Sequence, residues 1–153
     1  MNTIKRFFAT DPRSWSLLFV RVALGIVILP HGMQKALGSF GGYGFAGTIQ
    51  AFHEHMGLPV FLIVLVILAE FVGSLGVIVG FATRFMALSI FINFLGAMIL
   101  GGHVGNGFFM NFTETQKGEG MEFFILILGM ALALVVDGAG RYSIDSALHK
   151  RMK

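Results

Sequence analysis

The apolar stretch from Pro59 to Val79 is long enough to span a bilayer, and it contains a single charged residue, Glu70. A hydrocarbon core about 30 Å thick needs roughly 20 consecutive apolar residues in a helix. A carboxylate at membrane depth is costly, so it requires a partner, a proton or a functional role. The stretch therefore predicts a membrane helix and makes Glu70 a candidate functional residue.

The composition extends this interpretation to the whole chain. The 153 residues are 56% hydrophobic and only 12% charged, about half the charged fraction of an ordinary soluble domain. Cysteine is absent, which excludes a disulfide, a thiolate metal site and thiol-relay chemistry carried by this chain. The net charge of +3 comes from basic residues at segment ends. This pattern is typical of a membrane protein in contact with lipid and argues against a nucleic-acid partner.

The pattern of apolar runs predicts an all-α fold, a bundle of four transmembrane helices forming one membrane domain over residues 1–153. The spans are expected at about residues 12–37, 59–80, 84–102 and 120–137. In the first outer loop, Phe45, Ile49, Phe52 and Met56 recur at helical spacing and predict a short interfacial helix. The C-terminal tail predicts a second short helix, basic and capped by Ser143.

The orientation follows from the distribution of basic residues over the loops. Cytoplasmic loops of membrane proteins carry the excess of lysine and arginine. Eight basic residues fall on one side of the predicted spans, and only Lys35 and Lys117 fall on the other. This asymmetry predicts that both termini are cytoplasmic. The eight are Lys5, Arg6, Arg13, Arg84, Arg141, Lys150, Arg151 and Lys153.

Polar residues inside the spans are expected to face the bundle interior. At 100° per residue, Arg21, His31 and Lys35 share one face of the first span with Gly25 and Gly32. Glycine on such a face lets a neighbouring helix approach closely. Each of the other three spans also has a polar face. These faces carry Glu70 on the second span, Asn93 and His103 on the third, and Glu122 on the fourth.

A pairing between Arg21 and Glu70 is expected from their depths. With a rise of ~1.5 Å per residue, Arg21 lies ~10 Å and Glu70 ~15 Å from the same end of the bundle. Two interpretations stay open. The pair could serve only to specify which helices are neighbours, since a buried ion pair is weak evidence for stability. Alternatively, it could form the floor of a polar cavity that reaches outward through His31, Asn93, His103 and Glu122.

The chain resembles the DoxX family of small bacterial four-helix membrane proteins. The similar motifs are spread over nearly the whole chain. They are Arg21-Val-Ala-Leu-Gly25, His31-Gly32-x-x-Lys35, Glu70 followed by Gly73 and Gly76, Gly80-x-x-Thr83-Arg84, His103, Gly118-Glu119-Gly120 before Glu122, and Gly138-Ala-Gly140-Arg-Tyr-Ser143-Ile-Asp145.

The resemblance implies a four-helix bundle in the bacterial cytoplasmic membrane. Family members are linked to thiosulfate:quinone oxidoreductase, as its membrane subunit. Others are linked to membrane complexes for thiol and oxidative stress, with a sulfurtransferase and a superoxide dismutase. The family positions carried onto this chain are Arg21, His31, Lys35, Glu70, His103 and Glu122.

Two hypotheses about function follow. In the first, the chain is a redox-linked membrane subunit of a quinone-linked oxidoreductase. It would bind a quinone or a small thiosulfate- or thiol-related reductant, with a second copy or a soluble redox partner. Glu70, His31 and His103 would be catalytic, and Arg21, Lys35, Asn93 and Glu122 would bind the ligand. No metal or haem is expected. In the second, the chain is a non-catalytic scaffold for oxidative-stress partners or a small-solute permease.

Overall fold

The structure, a computed structural model, describes residues 7–112, 114 and 116–151. Within these residues the chain forms helices and loops and no strand, which confirms the all-α prediction. Lys5, Arg6 and Lys153, which contributed to the predicted orientation, lie outside the described residues.

Six α-helices follow one another along the described chain, with one short 3₁₀ turn after the first. The helices are α1 (Trp15–Leu37), α2 (Gly44–Met56), α3 (Val60–Val79), α4 (Thr83–Leu100), α5 (Glu122–Asp137) and α6 (Ile144–Arg151), and the 3₁₀ turn is Ser39–Gly41.

Three of these helices, α1, α3 and α4, are long and apolar enough to cross a membrane. Their lengths are 23, 20 and 18 residues. The fourth long helix, α5, has 16 residues and therefore spans only ~24 Å. The short helices α2 and α6 occupy the two positions at which short helices were expected.

The first helix begins three residues later than the sequence predicted. Ser14 is its N-cap, and the Ser14 hydroxyl accepts a hydrogen bond from the backbone N–H of Leu17. Asp11 accepts from the backbone N–H of Arg13 and closes a turn ahead of the helix. Both residue types satisfy the free N–H groups of a first turn, so composition alone did not distinguish the two starts.

The helices pack as a ring in which α1 contacts α3 and α5, while α4 contacts α3 and α5. The short helix α2 lies against α1 and α3. The interior of the ring is filled by buried apolar side chains from all four long helices, whereas many apolar residues also cover the outside. The principal core residues are Leu24, Ile28, Val77, Ala87, Ile90, Phe94, Phe124, Ile127, Ala131 and Leu134.

At the end of the bundle where α3 is joined to α4, side chains from distant parts of the chain form hydrogen bonds with the free backbone groups of the helix ends. The Asp145 carboxylate accepts from the backbone N–H groups of Ala82 and Thr83, at 2.8 and 2.9 Å, and so caps α4. Arg84 donates to the carbonyls of Val135 and Val136 at the end of α5. An anion at a helix N-terminus and a cation at a C-terminus both complement the helix dipole.

Asp145→Ala is expected to lower the free energy of unfolding by roughly 2–4 kcal/mol, because each hydrogen bond to a charged group contributes ~1.5–3 kcal/mol. Asp145 is only 2% exposed, so water cannot replace the lost cap. The measurement is unfolding in mild detergent. Asp137→Ala, which removes the same charge from an exposed position at the end of α5, should leave the stability nearly unchanged. Equal effects of the two substitutions would contradict the capping role.

Candidate functional site

Glu70 lies near the middle of α3, and its carboxylate is bound by side chains from two other helices. Lys35 Nζ from α1 lies 2.5 Å from Glu70 Oε2. Asn93 Nδ2 from α4 donates to Glu70 Oε1 at 3.0 Å. The carboxylate is buried at 4% exposure. Both carboxylate oxygens therefore have a hydrogen-bond partner. Each of the three helices that are long enough to cross a membrane contributes one residue to this cluster. We call Lys35, Glu70 and Asn93 the polar triad.

Close contact between α1 and α3 sets the height at which Lys35 meets Glu70. A Cβ atom at Gly32 would lie 2.6 Å from the carbonyl carbon and oxygen of Glu70, well inside contact distance. About two turns before Gly32, a Cβ atom at Gly25 would lie 3.0 Å from the backbone carbonyl oxygen of Ser74. Gly32 is therefore level with Glu70, and Lys35 lies one helical turn beyond it, within reach of the carboxylate.

The predicted pairing of Arg21 with Glu70 is wrong. Arg21 is level with the last turn of α3 and donates to the carbonyls of Val77 and Ile78. Its other terminal nitrogen donates to the carbonyls of Arg141 and Tyr142. The two residues are separated because Gly32, eleven residues after Arg21 and hence ~16 Å higher, is the residue of α1 that contacts Glu70.

A cavity of about 840 Å³ lies beside the polar triad, and its lining runs along α4 from Phe85 to Leu100. All three triad residues line it, together with His31 and His103. The rest of the lining is almost entirely apolar, and comes mainly from α3 and α4. Small-molecule sites typically enclose ~300–1,000 Å³, with apolar walls and a few polar groups. The size and lining of this cavity fit that description.

The two histidines occupy different parts of the cavity wall. His31 is exposed and follows Pro30 in α1. His103 follows the end of α4, and its ring lies 4.4 Å from the ring of Phe124, centroid to centroid. His103 Nδ1 lies 2.8 Å from the carbonyl of Glu119. Because a carbonyl can only accept, Nδ1 carries the hydrogen in this contact, which leaves Nε2 to exchange a proton or accept a hydrogen bond.

Of the seven predicted site residues, the structure places five on the cavity and two elsewhere. Glu70, Lys35, Asn93, His31 and His103 line the cavity, and their roles in binding or catalysis stay predictions. Arg21 lies at the opposite end of α1. Glu122 begins α5 and accepts from the backbone N–H of Met110, so it holds the loop between α4 and α5.

The contribution of α2 to the cavity was missed by the sequence reasoning, although the helix itself was expected. Phe52 and Met56 line the cavity, and Thr48 of the same helix is buried and donates to the backbone carbonyl of Lys35. The available sequence signal was Thr48 itself, a polar residue among the apolar positions of the predicted interfacial helix, which indicates a polar contact on that face. Thr48 anchors α2 to the last turn of α1, next to the triad.

The arrangement provides a fixed cation beside an otherwise apolar space. Lys35 has three ammonium hydrogens, and Glu70 accepts one of them. Lys35 thus keeps donors for a ligand while Glu70 balances its charge. Among the described residues, no group of three or more histidine, aspartate or glutamate side chains is placed to hold a metal ion.

Comparisons with known proteins agree with the family resemblance of the sequence. The sequence model of the DoxX family matches residues 16–103. The inner membrane protein YqjF of Escherichia coli is 35% identical over 135 residues, which cover 88% of this chain and 93% of that protein. The Escherichia coli inner membrane protein YphA is 27% identical over 150 residues, covering 95% and 99% of the two chains.

A Bacillus subtilis protein with the name "Putative oxidoreductase CatD" is 33% identical over 139 residues, covering 89% of each chain. No solved structure matches the chain.

Proposed function

Because the chain belongs to the DoxX family, we propose that it is a redox-linked membrane subunit that binds a quinone in the cavity beside the polar triad. The observation that carries the proposal is the cavity itself. It combines an apolar volume of about 840 Å³ with one paired cation, an amide and two histidines. The oxidoreductase name of the Bacillus subtilis relative supports the same reaction class.

The chain is a multi-pass protein of the bacterial inner membrane, as its Escherichia coli relatives are named. We propose that α5 is a fourth span, since it packs against α4 and α1 over its apolar length. The proposed orientation places Arg13, Arg84 and Arg141 at the cytoplasmic end, which the positive-inside rule favours. In this orientation His31 and His103 lie toward the outer end of the cavity, and Phe85 and Met86 lie toward its cytoplasmic end.

The donors on the cavity wall fit the head group of a quinone. Its carbonyl oxygens accept hydrogen bonds, and Lys35, Asn93 and His31 are the donors that line the space. A bound quinone would supply the electron-accepting chemistry. Glu70 holds the Lys35 ammonium in place, and His31 would be the acid–base group beside the quinone head. Electrons would come from a thiosulfate- or thiol-type reductant or from a soluble partner, because the chain has no cysteine.

The alternative functions receive less support from the packing. Between the polar triad and Arg21 the interior is filled by fully buried side chains, among them Leu24, Ile28 and Val77. Such filling does not favour a solute path through the bundle. A scaffold function requires only packed helices, and it does not account for a cavity beside a buried ion pair.

Lys35→Gln is expected to weaken quinone binding at least about tenfold, because a hydrogen bond to a charged group contributes ~1.5–3 kcal/mol. Glutamine keeps a donor for Glu70 and removes the charge. The measurement is the Kd of a short-tailed ubiquinone analogue for the purified protein in nanodiscs, with a thermal unfolding curve as a check of folding. Quinone reduction with thiosulfate or a thiol donor is assayed on the same samples.

The matched control is Lys117→Gln, the same change at an exposed loop position, and it should leave the Kd unchanged. An unmodified protein that binds no quinone, or a Lys35→Gln variant that binds as tightly as the original, would remove the quinone proposal.

A further inference from the structure

The helices α3 and α4 pack closely near the turn that joins them. A Cβ atom at Gly76 would lie 2.8 Å from Met86 Cγ, and one at Gly73 would lie 3.4 Å from Ile90 Cγ1. Farther along α4, a Cβ atom at Gly96 would meet nothing within 4 Å. The two helices therefore pack closely near the turn, and the cavity wall has open space beside Gly96 farther along α4.

The walls of this space carry exposed apolar side chains on both helices. Leu65 on α3 is 56% exposed and Ile92 on α4 is 61% exposed, and both line the cavity. Leu62, Val72 and Leu100 share these properties. In a membrane, exposed apolar residues of spanning helices face lipid. The cavity is thus continuous with the lipid through the gap between α3 and α4.

The other sides of the cavity are occupied by the protein. Phe52 and Met56 of α2 line one side, and His103 with Phe124 line another. The buried core residues Val77 and Ile90 lie on the side of the triad that faces the Arg21 end of the bundle. Among the described elements, the gap between α3 and α4 is therefore the side on which apolar surface connects the triad with the bilayer.

We propose that the ligand of this site is a membrane-borne lipid with a polar head and a long apolar tail, whose tail leaves through the gap between α3 and α4. Gly96 keeps that gap clear. This inference rests on the proposed function, and it selects a tailed quinone taken from the bilayer over a water-soluble one. Gly96 is the sensitive position because it lines the cavity and has free space where a side chain would begin.

The test compares two quinones with the same dimethoxy-methyl-benzoquinone head, one without a tail and one with a decyl tail. Gly96→Phe is expected to weaken binding of the decyl compound about tenfold or more, since lost contact with two methylene groups accounts for that factor. Binding of the tail-free compound should change less than about threefold. The measurement is the Kd of each quinone in nanodiscs. The variant should fold, because phenylalanine is a better helix former than glycine.

Gly129→Phe is the matched control. Gly129 also lies inside a helix with nothing within 4 Å of an added Cβ, but it is on α5 and outside the cavity lining. Neither quinone should bind this variant differently from the original protein. A decyl quinone with a photoreactive group at the tail end should label peptides of α3 and α4.

Three results would overturn the inference while leaving the proposed function in place. They are equal loss of both quinones in Gly96→Phe, no loss of either, or photolabelling confined to α2 or α5. If the original protein binds neither quinone, both the inference and the proposed function fail.

Discussion

Lys35→Met is expected to lower the free energy of unfolding by about 3–5 kcal/mol, because it leaves the Glu70 carboxylate buried without its cation. The double variant Lys35→Met with Glu70→Met should recover most of that loss, since apolar side chains of similar volume can replace a buried ion pair at little cost. The measurement is reversible unfolding in mixed micelles, followed for each single variant and the double variant.

The double variant also separates stability from function. It should be folded and yet bind quinone at least about tenfold more weakly, because it lacks the charged donor. If the double variant is as unstable as Lys35→Met alone, the single substitution acts through packing and not through an unpaired charge. If the double variant binds quinone normally, the polar triad is not part of the ligand site.

Arg21→Met is expected to destabilise the fold by at least about 3 kcal/mol while the folded protein keeps its affinity for quinone. Arg21 is 1% exposed and donates to four backbone carbonyls, two at the end of α3 and two in the segment before α6. Each hydrogen bond to a charged group contributes ~1.5–3 kcal/mol. Arg21→Lys should recover only part of the loss, because an ammonium cannot reproduce the forked geometry of a guanidinium.

Unfolding and quinone titration of the same samples test this expectation, with Arg13→Met as the control. Arg13 has the same charge at a side-chain exposure of 91%, so its replacement should change neither quantity measurably. A weakened affinity in Arg21→Met at unchanged stability would instead support the Arg21–Glu70 pairing that the sequence suggested and the structure contradicts.

The sequence predicted the helical class, the order of the helices and most of their inward faces, because each of these depends on a short-range residue pattern. A period of 3.6 residues placed Arg21 and Lys35 on the inward face of α1, whereas His31, expected on the same face, is exposed. Apolar runs located α3 and α4 to within two residues. The all-α class, the membrane location and the family are confirmed. The residues of the polar triad were also among the predicted site residues.

The relative height of neighbouring helices could not be predicted in the same way. It depends on where Gly32 meets the backbone of Glu70, a contact between residues far apart in the chain. The depth estimate measured each residue from its own helix end, and α1 extends beyond α3 at the Arg21 end. Glu122 was misplaced for a related reason, since its partner Met110 depends on the path of a glycine-rich loop.

The polar triad also bears on how the protein enters the membrane. Glu70 is paired only after α1 and α4 stand beside α3. During insertion, α3 must carry an unpaired carboxyl group into the bilayer, at ~2.5–3.5 kcal/mol on the insertion scale. Its leucine, isoleucine, valine and phenylalanine residues each offset ~0.3–0.6 kcal/mol, so the helix still inserts. Once it is in the lipid, the unpaired carboxyl group favours association with Lys35 and Asn93, and the residue that hinders insertion then drives assembly of the bundle.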